Sequence, residues 1–184
     1  MQPNVMNDED EATLDQIHGC EQIDLLLPDQ NGLLRGKRIT RDALGKAYQN
    51  GVCLPMSLLG TDITGNTVEE TGLGYDIGDE DRICRPIPGT LRPVPWASKP
   101  MAQALIQMED ANGKLFEPNP REVLKRVVQR YKARGLTPVV AVELEFYLLD
   151  ADLTEDGFPQ TSINPATRRR NRTTQVYSMT DLDD

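Results

Sequence analysis

The chain is short of the residue types that carry most nucleophilic and redox chemistry. It holds one histidine, three cysteines and one tryptophan in 184 residues, and aromatics make up 5%. A Ser–His or Cys–His pair would have to use His18, which lies in a polar stretch near the start and reads as a surface histidine. Cys20, Cys53 and Cys84 are odd in number and far apart. They match neither a disulfide framework nor a zinc pattern, so reduced thiols in a cytoplasmic protein are expected. Positive charge is also short: 20 Lys and Arg stand against 29 Asp and Glu, a net charge of −9. That balance argues against a nucleic-acid partner, which needs a basic surface. No apolar run approaches the length of a membrane span, and the first residues have neither the basic region nor the apolar core of a secretory leader. No membrane partner is expected.

What is present is a globular composition, 38% hydrophobic and 27% charged, long enough for one ordinary domain or two small ones. Two acids stand out. Glu143 and Glu145 lie in the run Pro138 to Leu149, which reads as a strand. Strand side chains alternate, so Val140, Val142, Leu144, Phe146 and Leu148 form one apolar face. Glu143 and Glu145 share the other, roughly 6.6–6.8 Å apart at Cα. Strands disfavour Glu, and like charges close together repel, so the pair needs a counter-charge. Water at a sheet edge, Arg or Lys, or divalent cations would each supply it. If a cation, the oxygen-only ligands suit Mg²⁺ or Mn²⁺. A solvated face is the plain alternative.

Along the chain, residues 1–20 read as a flexible acidic tail, with at most a short helix over Glu11–His18. Ile23 to Leu27 and Leu33 to Ile39 are strands joined by Pro28-Asp29-Gln30-Asn31-Gly32, where Asn-Gly signals a hairpin. Thr40 caps a helix over Arg41–Gln49, with Leu44 and Tyr48 as its stripe, closed by Asn50-Gly51. Val52 to Leu59 is a strand or extended segment. The long polar stretch Gly60 to Gly78 reads as a functional or mobile loop. Arg82–Ile87, Leu91–Val94 and Ala102–Met108 are short strands. The order predicts a mixed sheet crossed by one helix, an α+β fold in the manner of a β-grasp domain, over 21–112.

The pattern then changes. Asn119-Pro120-Arg121-Glu122 is a helix start, and Leu124, Val127, Val128 and Tyr131 form its buried stripe. Helix followed closely by the Glu143 strand reads as the opening of a second α/β domain over 113–184. After Asp150 the chain is polar, with a loose run at Val176–Met179. The cluster Arg168-Arg169-Arg170-Asn171-Arg172 could bind phosphate, but reads first as a solvated loop. One helix and one strand cannot bury a core alone, so the second domain is expected to be incomplete.

These pieces together resemble the glutamine synthetase family. The hairpin Asp29-Gln30-Asn31-Gly32-Leu33-Leu34-Arg35-Gly36-Lys37 is similar to the family's D-x-x-G-x-x-R-G-K form. Asp81 to Pro86 with Pro95-Trp96, Asn119-Pro120-Arg121, and Glu143-Leu144-Glu145-Phe146-Tyr147-Leu148 follow in the family's order over about residues 21–150. Arg35-Gly36-Lys37 looks more like the γ-glutamylpolyamine or γ-glutamylamide synthetase branch. The resemblance implies a β-grasp domain and the truncated beginning of the catalytic domain of an ATP-dependent ligase. Glutamate would be phosphorylated on its γ-carboxylate, and ammonia, an amine or a polyamine would displace phosphate. It also implies a homo-oligomeric ring, with Glu143 and Glu145 as ligands of two divalent metals. An acidic loop residue would meet the amine, and Asp62 is the candidate, although Gly60-Thr61-Asp62-Ile63-Thr64-Gly65 replaces the family's D-G-S-S form. The remaining ligands of the family are absent, so the 184 residues alone are expected to be inactive. A free-standing β-grasp interaction module without chemistry is the alternative.

Overall fold

A computed structural model describes residues 5–170. The chain forms two compact units that divide between Pro138 and Val139.

The first unit is built on a mixed sheet. Strand β1 (Gln22–Pro28) pairs antiparallel with β2 (Leu34–Thr40), Leu26 facing Gly36. On its other side β1 runs parallel to β6 (Met101–Met108), Ile23 facing Ala102. Strand β4 (Asp81–Pro86) pairs antiparallel with β6, and β3 (Val52–Pro55) closes the far edge. The order is β2-β1-β6-β4-β3, with the two-residue β5 (Arg92–Pro93) set against β6. The alternation that marks strands in the sequence is the alternation of burial. Ile23, Leu25 and Leu27 from β1 meet Ala102, Ala104, Ile106 and Met108 from β6 in one core.

The expected hairpin, mixed sheet and crossing helix are present. Helix α2 (Leu44–Asn50) buries Leu44, Ala47 and Tyr48, and Gly51 at φ 75° stops it. Its entry differs from expectation: Arg41–Ala43 is a 3₁₀ turn, and the Thr40 side chain makes no cap. Strand β3 stops at Pro55 instead of reaching Leu59, because Met56–Gly60 winds into a further 3₁₀ turn. Gly36 is fixed by close approach: a Cβ there would sit 1.7 Å from the Leu25 carbonyl oxygen.

The flexible tail expected over residues 1–20 is corrected within the described residues. Helix α1 (Asp8–Gln16) starts with Asn7, whose side chain accepts the Asp10 N–H. Asp10 is fully buried. Its carboxylate accepts from the Tyr48 hydroxyl at 2.7 Å and from the backbone N–H groups of Gly89 and Leu91 at 2.8 and 3.0 Å. Composition alone suggests a solvated acidic segment. One acid satisfied by three donors fastens it instead.

Helix α3 (Pro120–Lys132) has the expected cap, the Asn119 side chain accepting the Arg121 N–H at 3.0 Å. Its apolar stripe is not buried as expected: Leu124 is 64% exposed and Tyr131 45%. The helical spacing is real, but Leu124 and Val128 line an open groove with Ile87, Gln107 and Leu115 and do not join the core.

The second unit, over its described residues, opens with a run that has no regular secondary structure. The strand expected from Pro138 to Leu149 has no ladder; only Leu149 forms an isolated bridge, to Thr161. Both apolar and polar positions of the run lie open, with Val142 86% and Phe146 77% exposed. A strand is defined by its partner's hydrogen bonds, and among the described residues they begin only at the end of the run, where the Leu148 carbonyl accepts the Ser162 N–H at 3.4 Å. Beyond it, Asp150 pairs with Arg170 at 2.5 Å, and Ile163 bridges Arg170. The run Val176–Met179 lies outside the described residues.

Candidate functional site

The three expected site residues fall in different units, Asp62 in the first and Glu143 and Glu145 in the second.

Asp62 stands at the tip of a small hairpin. Thr61 bridges Thr67, the Val68 N–H reaches the Gly60 carbonyl at 2.8 Å, and the Asp62 N–H reaches the Asn66 carbonyl at 2.8 Å. The long polar stretch is therefore a hydrogen-bonded structure, not open coil. Asp62 Oδ1 accepts from the Thr64 N–H at 2.8 Å, the Thr64 hydroxyl at 2.7 Å and the Asn66 N–H at 2.9 Å. None of the three uses Oδ2. The Thr64 hydroxyl and then the Asn66 N–H hold this carboxyl below its ordinary pKa. The tip thus presents an ionised, oriented carboxylate, suited to attracting a cation.

Further along, the Glu69 carboxylate accepts the N–H groups of Tyr75 and Asp76 at 3.2 and 3.3 Å and ties the loop to itself. Gly74 makes room for it: a Cβ there would lie 2.1 Å from Glu69 Oε2.

Glu143 and Glu145 are exposed. Among the described residues neither forms an ion pair or a side-chain hydrogen bond, so no internal Arg or Lys neutralises them. Their oxygen ligands are the kind that Mg²⁺ and Mn²⁺ take, and they are free to take them. The fit is incomplete in number: no group of three or more His, Cys, Asp or Glu side chains is gathered for a metal among the described residues.

The basic cluster is partly committed to structure. Arg170 is held by Asp150 and donates to the Thr161 carbonyl, and its guanidinium lowers the pKa of Asp150. Arg172 lies outside the described residues. His18 is exposed, and the three cysteines are free, with Cys20 and Cys84 buried. Burial pushes the Cys84 thiol up to about 12, which leaves it inert at neutral pH.

Sequence reasoning missed the turn that supports the Asp62 hairpin. Asn31 Nδ2 donates to the Thr61 carbonyl at 2.8 Å, one residue before Asp62. Asn31 stood in the sequence as half of an Asn-Gly hairpin signal, and that signal masked its second contact.

Comparison with known proteins decides the ancestry. A family model described as the glutamine synthetase catalytic domain matches residues 117–184. The gamma-glutamylputrescine synthetase PuuA of Escherichia coli (strain K12) is 44% identical over 170 residues, covering 92% of this chain and 36% of that protein. The chain belongs to the glutamine synthetase family. A glutamate–isopropylamine ligase of Pseudomonas sp is 30% identical over 165 residues, covering 88% of this chain and 35% of that protein. The chain thus spans about a third of the length of these curated relatives. A crystal structure titled as a novel glutamine synthase homolog superposes at a TM-score of 0.55, covering 62% of this chain and 27% of that one. At 17% identity that likeness bears on the fold alone. The family expectation made from the motifs, with its polyamine branch, agrees with these relatives. No helix among the described residues is long and apolar enough to cross a membrane.

Proposed function

We propose that this chain is part of a cytoplasmic ATP-dependent ligase that joins the γ-carboxylate of glutamate to an amine, in the polyamine branch of its family. The single observation that carries the reading is the 44% identity to a gamma-glutamylputrescine synthetase across nearly the whole chain. The relative named for isopropylamine also takes an organic amine, which favours an amine over ammonia. The interaction-module reading loses ground because residues 117–184 match a catalytic-domain model.

The first unit supports a β-grasp reading: an antiparallel hairpin whose first strand runs parallel to a late central strand, with one helix between. We set the domain step near residue 113 in sequence; the catalytic-domain match that begins at residue 117 supports that reading. Helix α3 belongs to the first unit in space, and in this reading opens the catalytic domain in sequence.

Glu143 and Glu145 would hold Mg²⁺ or Mn²⁺. Divalent cations there would neutralise charge on the transferred phosphoryl group of ATP. Asp62 would meet the incoming amine, which is protonated in solution, with a carboxylate already ionised. Presented by one subunit to the next in a homo-oligomeric ring, it would lower the cost of bringing a cation to the site. No third His, Cys, Asp or Glu side chain is gathered with them among the described residues, so in this reading the metal site needs further ligands to close.

The test is ADP release by the full-length protein with ATP, Mg²⁺ and glutamate, and with a diamine, a monoamine or ammonia in turn. Release that requires both glutamate and an organic amine, with a γ-glutamyl amide detected by mass, is expected. Release with ammonia alone would move the protein to the ammonia branch, and no release with any nucleophile would refute the reading.

A further inference from the structure

Three consecutive residues of the β1–β2 turn reach three different parts of the first unit. Asp29 is buried and organises the turn itself. Its Oδ1 accepts the N–H groups of Asn31 at 2.9 Å and Leu33 at 2.8 Å, and its Oδ2 accepts Arg35 Nε at 2.9 Å. Gln30 Nε2 donates to the Pro118 carbonyl at 2.6 Å, just ahead of the Asn119 cap of α3. Asn31 Nδ2 donates to the Thr61 carbonyl.

We propose that Asn31 is a positioning residue for amine binding, because it ties the hairpin carrying Asp62 to a turn anchored by a buried carboxylate. The proposal rests on the reading of Asp62 as the group that meets the amine. The geometry of the hairpin explains why one hydrogen bond matters. At its base Gly60 is wedged: a Cβ there would meet Thr71 Oγ1 at 2.7 Å and Leu73 Cβ at 3.1 Å. At its tip Asp62 is bound to Thr64, Gly65 and Asn66, all residues of the same hairpin. The Asn31 contact falls between base and tip and comes from a part of the chain 30 residues away. Without it the Thr61 carbonyl turns to water, and the tip pivots about its base while its internal bonds survive. The carboxylate would stay ionised and correctly shaped but would lose its fixed place. A displacement of that kind costs binding and orientation more than it costs folding.

The experiment uses the full-length protein with Asn31→Ala, with Asn31→Asp, which keeps the size and removes the donor, and with Asp62→Ala in parallel. Asn31→Ala and Asn31→Asp are each expected to raise KM for the amine about five- to tenfold. KM for ATP and for glutamate and the melting temperature should hold. Amide exchange in 61–67 should quicken while β1 stays protected. If Asp62→Ala leaves the amine KM unmoved, the Asp62 reading fails, and the role of Asn31 fails with it. If Asp62→Ala raises it and the Asn31 variants do not, the Asp62 reading survives and this proposal is overturned. A rise in all three KM values together would mark Asn31 as structural only, which also overturns it. If Asn31→Ala does not fold, Asn31→Ser is read by the same criteria.

Discussion

Removing the Asp10 carboxylate should detach helix α1 and destabilise the first unit. The side chain is fully buried and accepts from one hydroxyl and two backbone N–H groups. Asp10→Ala leaves all three donors without a partner, and each such loss costs about 1–3 kcal/mol. The sum has a ceiling, because α1 can undock and let water reach the donors; a loss of about 3–5 kcal/mol is expected. Tyr48→Phe removes one donor and leaves the carboxylate two, so it should cost about 1–2 kcal/mol. In the double variant the hydroxyl is already gone when the carboxylate is removed. The two effects should therefore add to less than their sum, with a coupling of about 1 kcal/mol. Urea unfolding followed by far-UV circular dichroism measures all four corners of that cycle. Full additivity, or an Asp10→Ala variant as stable as the parent, would refute the anchor.

Two further perturbations test the same scaffold. Burial works against ionisation of Asp29, but the hydrogen bond from Arg35 and the N–H groups of Leu33 and Asn31 outweigh it and hold its pKa below the usual carboxylate value. A depressed folded pKa gives stability that is present at neutral pH and drains away as pH falls below about 4, the ordinary Asp value. Asp29→Asn should flatten that acid limb of the stability profile, and an unchanged limb would refute the assignment. Gly36→Ala forces a Cβ into the Leu25 carbonyl. It should cost about 2–4 kcal/mol by thermal melting, and a neutral result would contradict the pairing of β1 with β2.

Much of the first unit was legible because its signals are local. Asn31-Gly32 marked the hairpin, Leu44 and Tyr48 marked α2, and Asn119-Pro120 marked the start of α3. What escaped was tertiary and polar. The anchor at Asp10 reads as one acid among five in the run Asp8 to Asp15, and nothing nearby in sequence announces Tyr48, Gly89 or Leu91 as its donors. Arg41–Ala43, read as the first turn of α2, is a 3₁₀ turn that leads from β2 straight into the helix. For α3 the spacing of apolar residues was read correctly but their burial was not, and the Glu143 run has neither the expected ladder nor a buried face. Periodicity shows which face wants a partner; it does not show that a partner is there. The acids proposed for the site stood out for the opposite reason. Glu143 and Glu145 break an apolar pattern, and Asp62 falls in a stretch too long and polar to be a plain connection. The support at Asn31 was hidden because one residue served two contacts.

In the proposed ligase Glu143 and Glu145 would bind the divalent cations that phosphoryl transfer requires. The most direct measurement of that role is the Mg²⁺ or Mn²⁺ dependence of ADP release by the full-length protein, compared with its Glu143→Gln and Glu145→Gln variants. Each variant should fall by about a hundredfold or more at low metal and recover in part as metal is raised. Activity and metal dependence unchanged in both variants would contradict that role.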